Sequence, residues 1–192
     1  MVNEIIREVN MCLDNGCCTA GLSLALTLPD ICGKALYPEL EKQTKQRYIK
    51  WFDEYIGQYE RSSKYKHLDL PYLSGELVYS LRCSLLHQGN PNIKENEFGI
   101  IYFELVYRQN EGSHITVSSA EARVFKDENG NEKAVNKKLC INVRDLCWKI
   151  CRLAEVCYAE DTGKFNFFHY NLVDTDYYTS RLLGLRDRRI IK

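Results

Sequence analysis

Glu76-Leu-Val-Tyr-Ser-Leu-Arg82-Cys-Ser-Leu-Leu-His87-Gln-Gly89-Asn-Pro-Asn92 is the stretch at which this chain changes character. Up to His87 the pattern is helical. At 100° per residue, Leu77, Val78, Leu81 and Leu85 share one face, and Glu76, Ser80, Cys83 and His87 form a polar stripe on the other. Gly89-Asn90-Pro91-Asn92 then stops the helix, because proline lacks the backbone donor and glycine adds backbone freedom. The reading predicts a helix from near Leu70-Pro71 to Gln88, and different structure beyond it.

Upstream, Ile5, Ile6, Val9 and Leu13 recur at helical spacing, and Asn15-Gly16 ends that segment. Cys17 to Leu28 is rich in Ala and Leu and reads as a second, buried helix that Pro29 ends or kinks. Leu28-Pro-Asp30-Ile-Cys32-Gly-Lys34 reads as a turn with Asp30 as a cap. Pro38 suits the first position of a third helix, with Glu39 and Glu41 favouring its positive end. That helix is expected to run to about Tyr59 and to bury Leu40, Tyr48, Trp51, Phe52 and Tyr55. Arg61 to His67 reads as a loop.

Downstream, Gly99-Ile-Ile-Tyr-Phe-Glu-Leu-Val-Tyr107 is β-branched and aromatic, the composition of a strand. His114 to Ser118 and Glu121 to Lys126 are further strand candidates. Asn129-Gly130 signals a hairpin, with Glu132 to Ile141 returning from it. Asn142-Val-Arg-Asp145 is a helix start with a capping side chain. The helix it opens should reach about Ala159 and bury Val143, Leu146, Ile150, Leu153 and Cys157. The expected fold is α+β and mainly α. It has a helical bundle over 1–90, an antiparallel β insertion over 97–141, a closing helix over 142–160 and a C-terminal extension over 161–192. Two adjoining units divided near Gly89 to Gly99 are the alternative.

Composition narrows the function. The 192 residues are 45% hydrophobic and 27% charged, enough apolar surface for one sizeable core. Twenty-six basic residues balance 26 acidic ones, so bulk charge does not draw this chain to nucleic acid, and any such binding must come from a local patch. The basic tail, with Arg181, Arg186, Arg188, Arg189 and Lys192, reads as a solvated end. Met1 to Asn10 has no apolar core of a signal peptide, and the apolar run from Asn15 to Pro29 is short for a membrane span. A cytoplasmic protein with no membrane contact is expected. The nine cysteines include no CxxC pair and read as reduced thiols. No Gly-rich phosphate loop, Ser-His-Asp order or paired catalytic carboxylates occurs, and neither metal nor cofactor is expected.

The chemistry that remains is in Arg82 and His87. His87 sits in the last turn of its helix, where the carbonyl end favours a protonated imidazole. An imidazole that titrates near neutrality suits general acid–base work. A guanidinium near it suits a phosphate and the charge that develops on it. On an α-helix the two lie about 140° apart, so the long arginine side chain or a second subunit must close the gap. A purely structural reading pairs Arg82 with Asp30 or Glu76 and has His87 cap its own helix.

Arg82-Cys-Ser-Leu-Leu-His87, near the end of a bundle helix, resembles the Arg-x4–6-His signature of HEPN domains. The resemblance covers the helical part, Met1 to Gly89 and Asn142 to Ala159. The β segment is an elaboration on that family's bundle. Cys83 stands where active members often carry Asn or Asp. Gly89 stands where one toxin subgroup carries Tyr, so that subgroup's antitoxin pairing does not carry over. The resemblance implies a homodimer with two motifs in one cleft, and metal-independent RNA cleavage in toxin, defence or RNA-processing systems. It implies that His87 is the acid/base and Arg82 holds the phosphate. Ser80, Cys83, Ser84, Asp30 and Lys34 are the supporting candidates, and a regulatory protein is a candidate partner. A non-catalytic binding or scaffold module on the same fold is the alternative.

Overall fold

The computed structural model describes residues 2–60, 66–68, 70–88, 102–106, 119–167, 175–176 and 179. α1 (Val2–Asp14) buries Ile5, Val9 and Leu13 of the predicted stripe together with Val2, while Ile6 packs at the core's margin. α2 (Cys18–Ala25) returns along it after a turn at Asn15-Gly16. α3 (Leu28–Leu36) follows, with Pro29 inside its first turn. This corrects the expectation that Pro29 closes a helix and that residues 28–34 form a turn. Proline lacks only a donor that the first turn leaves unused, so Pro29 opens a helix as readily as it ends one.

Pro38–Leu40 is a single 3₁₀ turn rather than the start of the next helix. α4 (Thr44–Phe52) begins six residues later, widens into a π turn at Asp53–Gly57 and closes with α5 (Gln58–Glu60). Tyr48, Trp51 and Phe52 are fully buried, while Leu40 and Tyr55 lie at the core's margin. These aromatics therefore form the core and not a base-stacking surface, although Tyr59 remains exposed. After a 3₁₀ turn at Lys66–Leu68, α6 (Gly75–Cys83) starts later than Leu70-Pro71 suggests and ends in a second π turn, Ser84–Gln88.

Three strands follow: β1 (Tyr102–Val106), β2 (Ser119–Lys126) and β3 (Glu132–Asn142). β2 and β3 form the expected antiparallel hairpin. Gly130 holds φ +79°, and the Asp127 carboxylate accepts from the Asn129 and Asn131 amides, at 2.9 Å each. β1, however, pairs in parallel with β3, Tyr102 opposite Lys138 through Val106 opposite Asn142. The sheet order is β1-β3-β2, so the sheet is mixed rather than wholly antiparallel. Strand composition does not specify a partner, and the chain between Val106 and Glu132 is long enough for a parallel crossover. A bulge lies between Glu121 and Arg123 on β2 and their partners. Leu139 and Ile141 of β3 turn into the core. His67 Nε2 meets Glu132 Oε2 at 3.0 Å, tying the hairpin to the 66–68 turn.

β3 runs directly into α7 (Val143–Glu160). The Asn142 side chain accepts from the Asp145 amide at 3.0 Å, the cap the sequence predicts. α7 packs on α1, α2 and α3. It buries Val143, Leu146, Ile150 and Cys157 as expected, and also Cys147, Cys151 and Ala154, while Leu153 is at the margin. All nine cysteines are free thiols. Burial pushes the Cys151 thiol up to about 12 and Cys147 well above its ordinary value, so both act as small apolar fillers. The described chain is thus mainly helical, with a small sheet joined to its last helix. No helix among the described residues is long and apolar enough to cross a membrane.

Candidate functional site

The start of α6 is fixed from two sides. Ser74 Oγ accepts from the Leu77 amide at 3.3 Å, and Asp53 Oδ1, from the π turn of α4, accepts from the Gly75 amide at 2.6 Å. Only glycine fits at position 75, because a Cβ there would lie 2.6 Å from the Ile49 carbonyl oxygen of α4. This close approach sets α6 against α4. Leu77, Val78 and Leu81 then enter the core, and Leu85 packs at its margin, as the wheel predicts.

Arg82 projects from α6 into a corner between two aromatic rings. The Tyr48 ring of α4 and the Tyr79 ring of α6 meet edge to face, 5.3 Å apart and inclined at 70°. The Arg82 Cζ lies 5.9 Å from the centroid of each ring, within cation–π range. Its Nε is buried and makes no hydrogen bond, and neither does the buried Tyr48 hydroxyl.

The two acidic residues that could neutralise Arg82 are engaged elsewhere. Asp30 Oδ1 accepts from Arg47, at 2.9 Å from Nε and 2.8 Å from the terminal nitrogen, and Arg47 also donates to the Glu41 carbonyl at 2.5 Å. Glu76 holds Lys45 at 2.5 Å. Among the described residues Arg82 forms no ion pair, so the structural pairing with Asp30 or Glu76 is not the one found.

Burial pushes the Tyr48 hydroxyl well above its ordinary range. Arg82 opposes that shift, while Asp30 and Cys83 add to it. Tyr79 is raised by desolvation first, then by Cys83. Arg82, Cys83, Asp30 and the two tyrosines therefore share one electrostatic neighbourhood. Ser84 is buried at the start of the π turn, and its amide donates back to the Leu81 and Ser80 carbonyls. Ser80 is partly exposed and has no described partner. Lys34 leaves this group, its Nζ lying 4.6 Å over the Phe167 ring.

The backbone at position 87 lies in the π turn Ser84–Gln88, and the His87 side chain lies outside the described residues. So do the candidate strand 114–118, the tail 181–192, His114 and His169. A π turn has roughly 4.4 residues per turn, so each of its residues advances about 82° rather than 100°. From Arg82 to position 87 the angle closes from about 140° to about 90°. In ideal geometry, then, a widened turn lessens the angle between Arg82 and position 87.

Sequence reasoning missed Tyr79 and the part played by Tyr48. Tyr79 precedes Arg82 by three residues, one helical turn, and that spacing was the available signal. Tyr48 reaches the corner only through the packing of α4 on α6. Among the described residues no group of three or more His, Cys, Asp or Glu side chains could hold a metal ion. In comparisons with known proteins, no family model, curated protein or solved structure matches this chain.

Proposed function

We propose that the protein is a metal-independent, cytoplasmic endoribonuclease of HEPN type, acting as a homodimer with Arg82 and His87 at a shared cleft. The observation that carries this reading is the charge left on Arg82. Arg82 is partly exposed, with no ion pair among the described residues, on the helix whose last turn carries His87. A positive charge without a carboxylate partner is a ready site for a phosphate oxygen. The π turn supports the reading further, because in ideal geometry it lessens the angle between Arg82 and position 87, and such turns are frequent at functional sites.

In this mechanism His87 accepts the proton of a ribose 2′-hydroxyl as O2′ bonds to phosphorus. The P–O5′ bond breaks, and the leaving oxygen takes a proton from the imidazolium of the second subunit. The products are a 2′,3′-cyclic phosphate and a 5′-hydroxyl. Arg82 offsets the charge that builds on the non-bridging oxygens.

The test is cleavage of single-stranded RNA by the purified protein in excess EDTA. His87→Ala should lower the rate about 10²- to 10⁴-fold, the range of general acid–base catalysis. Arg82→Ala should lower it about 10²-fold or more. Activity that survives His87→Ala would remove the site assignment. A folded wild type inert on varied RNAs would leave the binding-module reading in its place.

A further inference from the structure

We propose that Tyr48 and Tyr79 are positioning residues that seat the Arg82 guanidinium by its Nε edge and turn its terminal nitrogens toward a phosphate group. The proposal rests on the ribonuclease reading for its use, but not for its geometry.

An arginine on a helix surface ordinarily samples many rotamers, and binding an anion must first restrict them. A carboxylate partner could hold the side chain still, but it would also cancel the charge that a phosphate needs. In this protein Asp30 and Glu76, the partners the sequence offers, are tied to Arg47 and Lys45. The two rings do the holding instead. They present their faces at 70° to one another, with Cζ at 5.9 Å from each. The attraction of a cation to a ring face leaves the charge in place and uses none of the guanidinium's donors. Nε points inward, where it is buried without a hydrogen bond. The buried Tyr48 hydroxyl is also unbonded. At position 48 the ring is therefore the working part, and the hydroxyl contributes nothing to the seat.

Gly75 lets α6 approach the Ile49 carbonyl of α4, the same two helices that carry Tyr79 and Tyr48. A phosphate bound in this way meets a group already oriented, which is the condition under which positioning raises turnover.

The experiment follows the Arg82 Nε–Hε resonance by NMR in the wild type, Tyr48→Phe, Tyr79→Phe and Tyr79→Leu. In parallel, each protein cleaves a fluorogenic single-stranded RNA oligonucleotide of mixed sequence in EDTA. Tyr79 is chosen for ring removal because it lies at the core's margin, so losing its ring disturbs the core less than losing that of the fully buried Tyr48 would. The wild-type Hε should be shifted by the ring currents and slow to exchange with water. Both phenylalanine variants should keep that signal and wild-type kcat. Tyr79→Leu should return the resonance toward free arginine and lower kcat about five- to tenfold, with KM within about twofold. An unshifted wild-type Hε would overturn the proposal. So would a Tyr79→Leu variant that keeps both signal and kcat, or a Tyr79→Phe variant as impaired as Tyr79→Leu. A shifted Hε in a protein that cleaves no RNA would remove the ribonuclease reading and leave the seat standing.

Discussion

Two arginines a short distance apart are treated in opposite ways. Arg47, on α4, is 7% exposed and fully committed: two of its nitrogens meet Asp30 and a third meets the Glu41 carbonyl. Arg82, on α6, lies against Tyr48, the residue next to Arg47, and has no carboxylate partner among the described residues. The first guanidinium is a fastener between α3 and α4. The second lies beside two rings, with no ion pair among the described residues. The difference teaches that two arginines on neighbouring helices are set apart by where the compensating carboxylate goes, and here Asp30 is drawn to Arg47.

Paired substitutions sharpen this contrast. Arg47→Ala leaves Asp30 partly buried without its cation and should cost about 3 kcal/mol, toward the low end for a broken buried pair because Asp30 retains some solvent. Arg82→Ala removes a buried donor that has no acceptor, so its stability should lie within about 0.5 kcal/mol of the wild type. Urea unfolding of the two variants measures both. Equal losses would erase the distinction between fastener and free charge.

Gly75→Ala tests the approach of α6 to α4 on which the Arg82 corner depends. Its Cβ would press on the Ile49 carbonyl oxygen, backbone that cannot swing aside, so α6 must shift away from α4. A loss of about 2 kcal/mol is expected. The same shift should weaken the Arg82 ring-current signal and leave the Asp30–Arg47 pair intact.

The smallest effect is one of pH. Desolvation raises the Asp53 carboxyl above its ordinary value, while the Gly75 amide partly offsets it. The folded state therefore binds this proton more readily than the unfolded chain does. Asp53 makes stability rise as pH falls through its raised value, until the unfolded chain protonates as well. Asp53→Asn should remove that slope and leave the neutral-pH melting temperature equal to the wild type's or about 1–2 °C higher. A melting temperature well below the wild type's at neutral pH would show that the charged carboxylate is needed at this helix start.

Local signals carried much of the fold. The stripe of α1, the Asn129-Gly130 hairpin and the Asn142 cap of α7 each depend on residues within one or two turns of one another, and each is where the sequence puts it. The expectations that failed depend on something beyond the window. Pro29 is compatible with both ends of a helix, and only the packing of α3 on α4 and α7 selects the start. The strand 102–106 is legible, but its parallel partner lies beyond a whole hairpin arm. Neither π turn is visible in composition, since the residue types in Asp53–Gly57 and Ser84–Gln88 suit an ordinary α-turn equally well. The candidate site divides in the same way. Arg82 and His87 can be read off one helix, whereas the ring from α4 and the diversion of Asp30 exist only once three helices have packed.

The junction of β3 and α7 has a mechanical consequence. Asn142 is at once the last residue of the strand and the cap of the helix, so no slack chain separates them. The hairpin is therefore a handle on the helix against which α1, α2 and α3 rest. A force applied at the hairpin loop would pass along β3 to α7 through a single shared residue, Asn142.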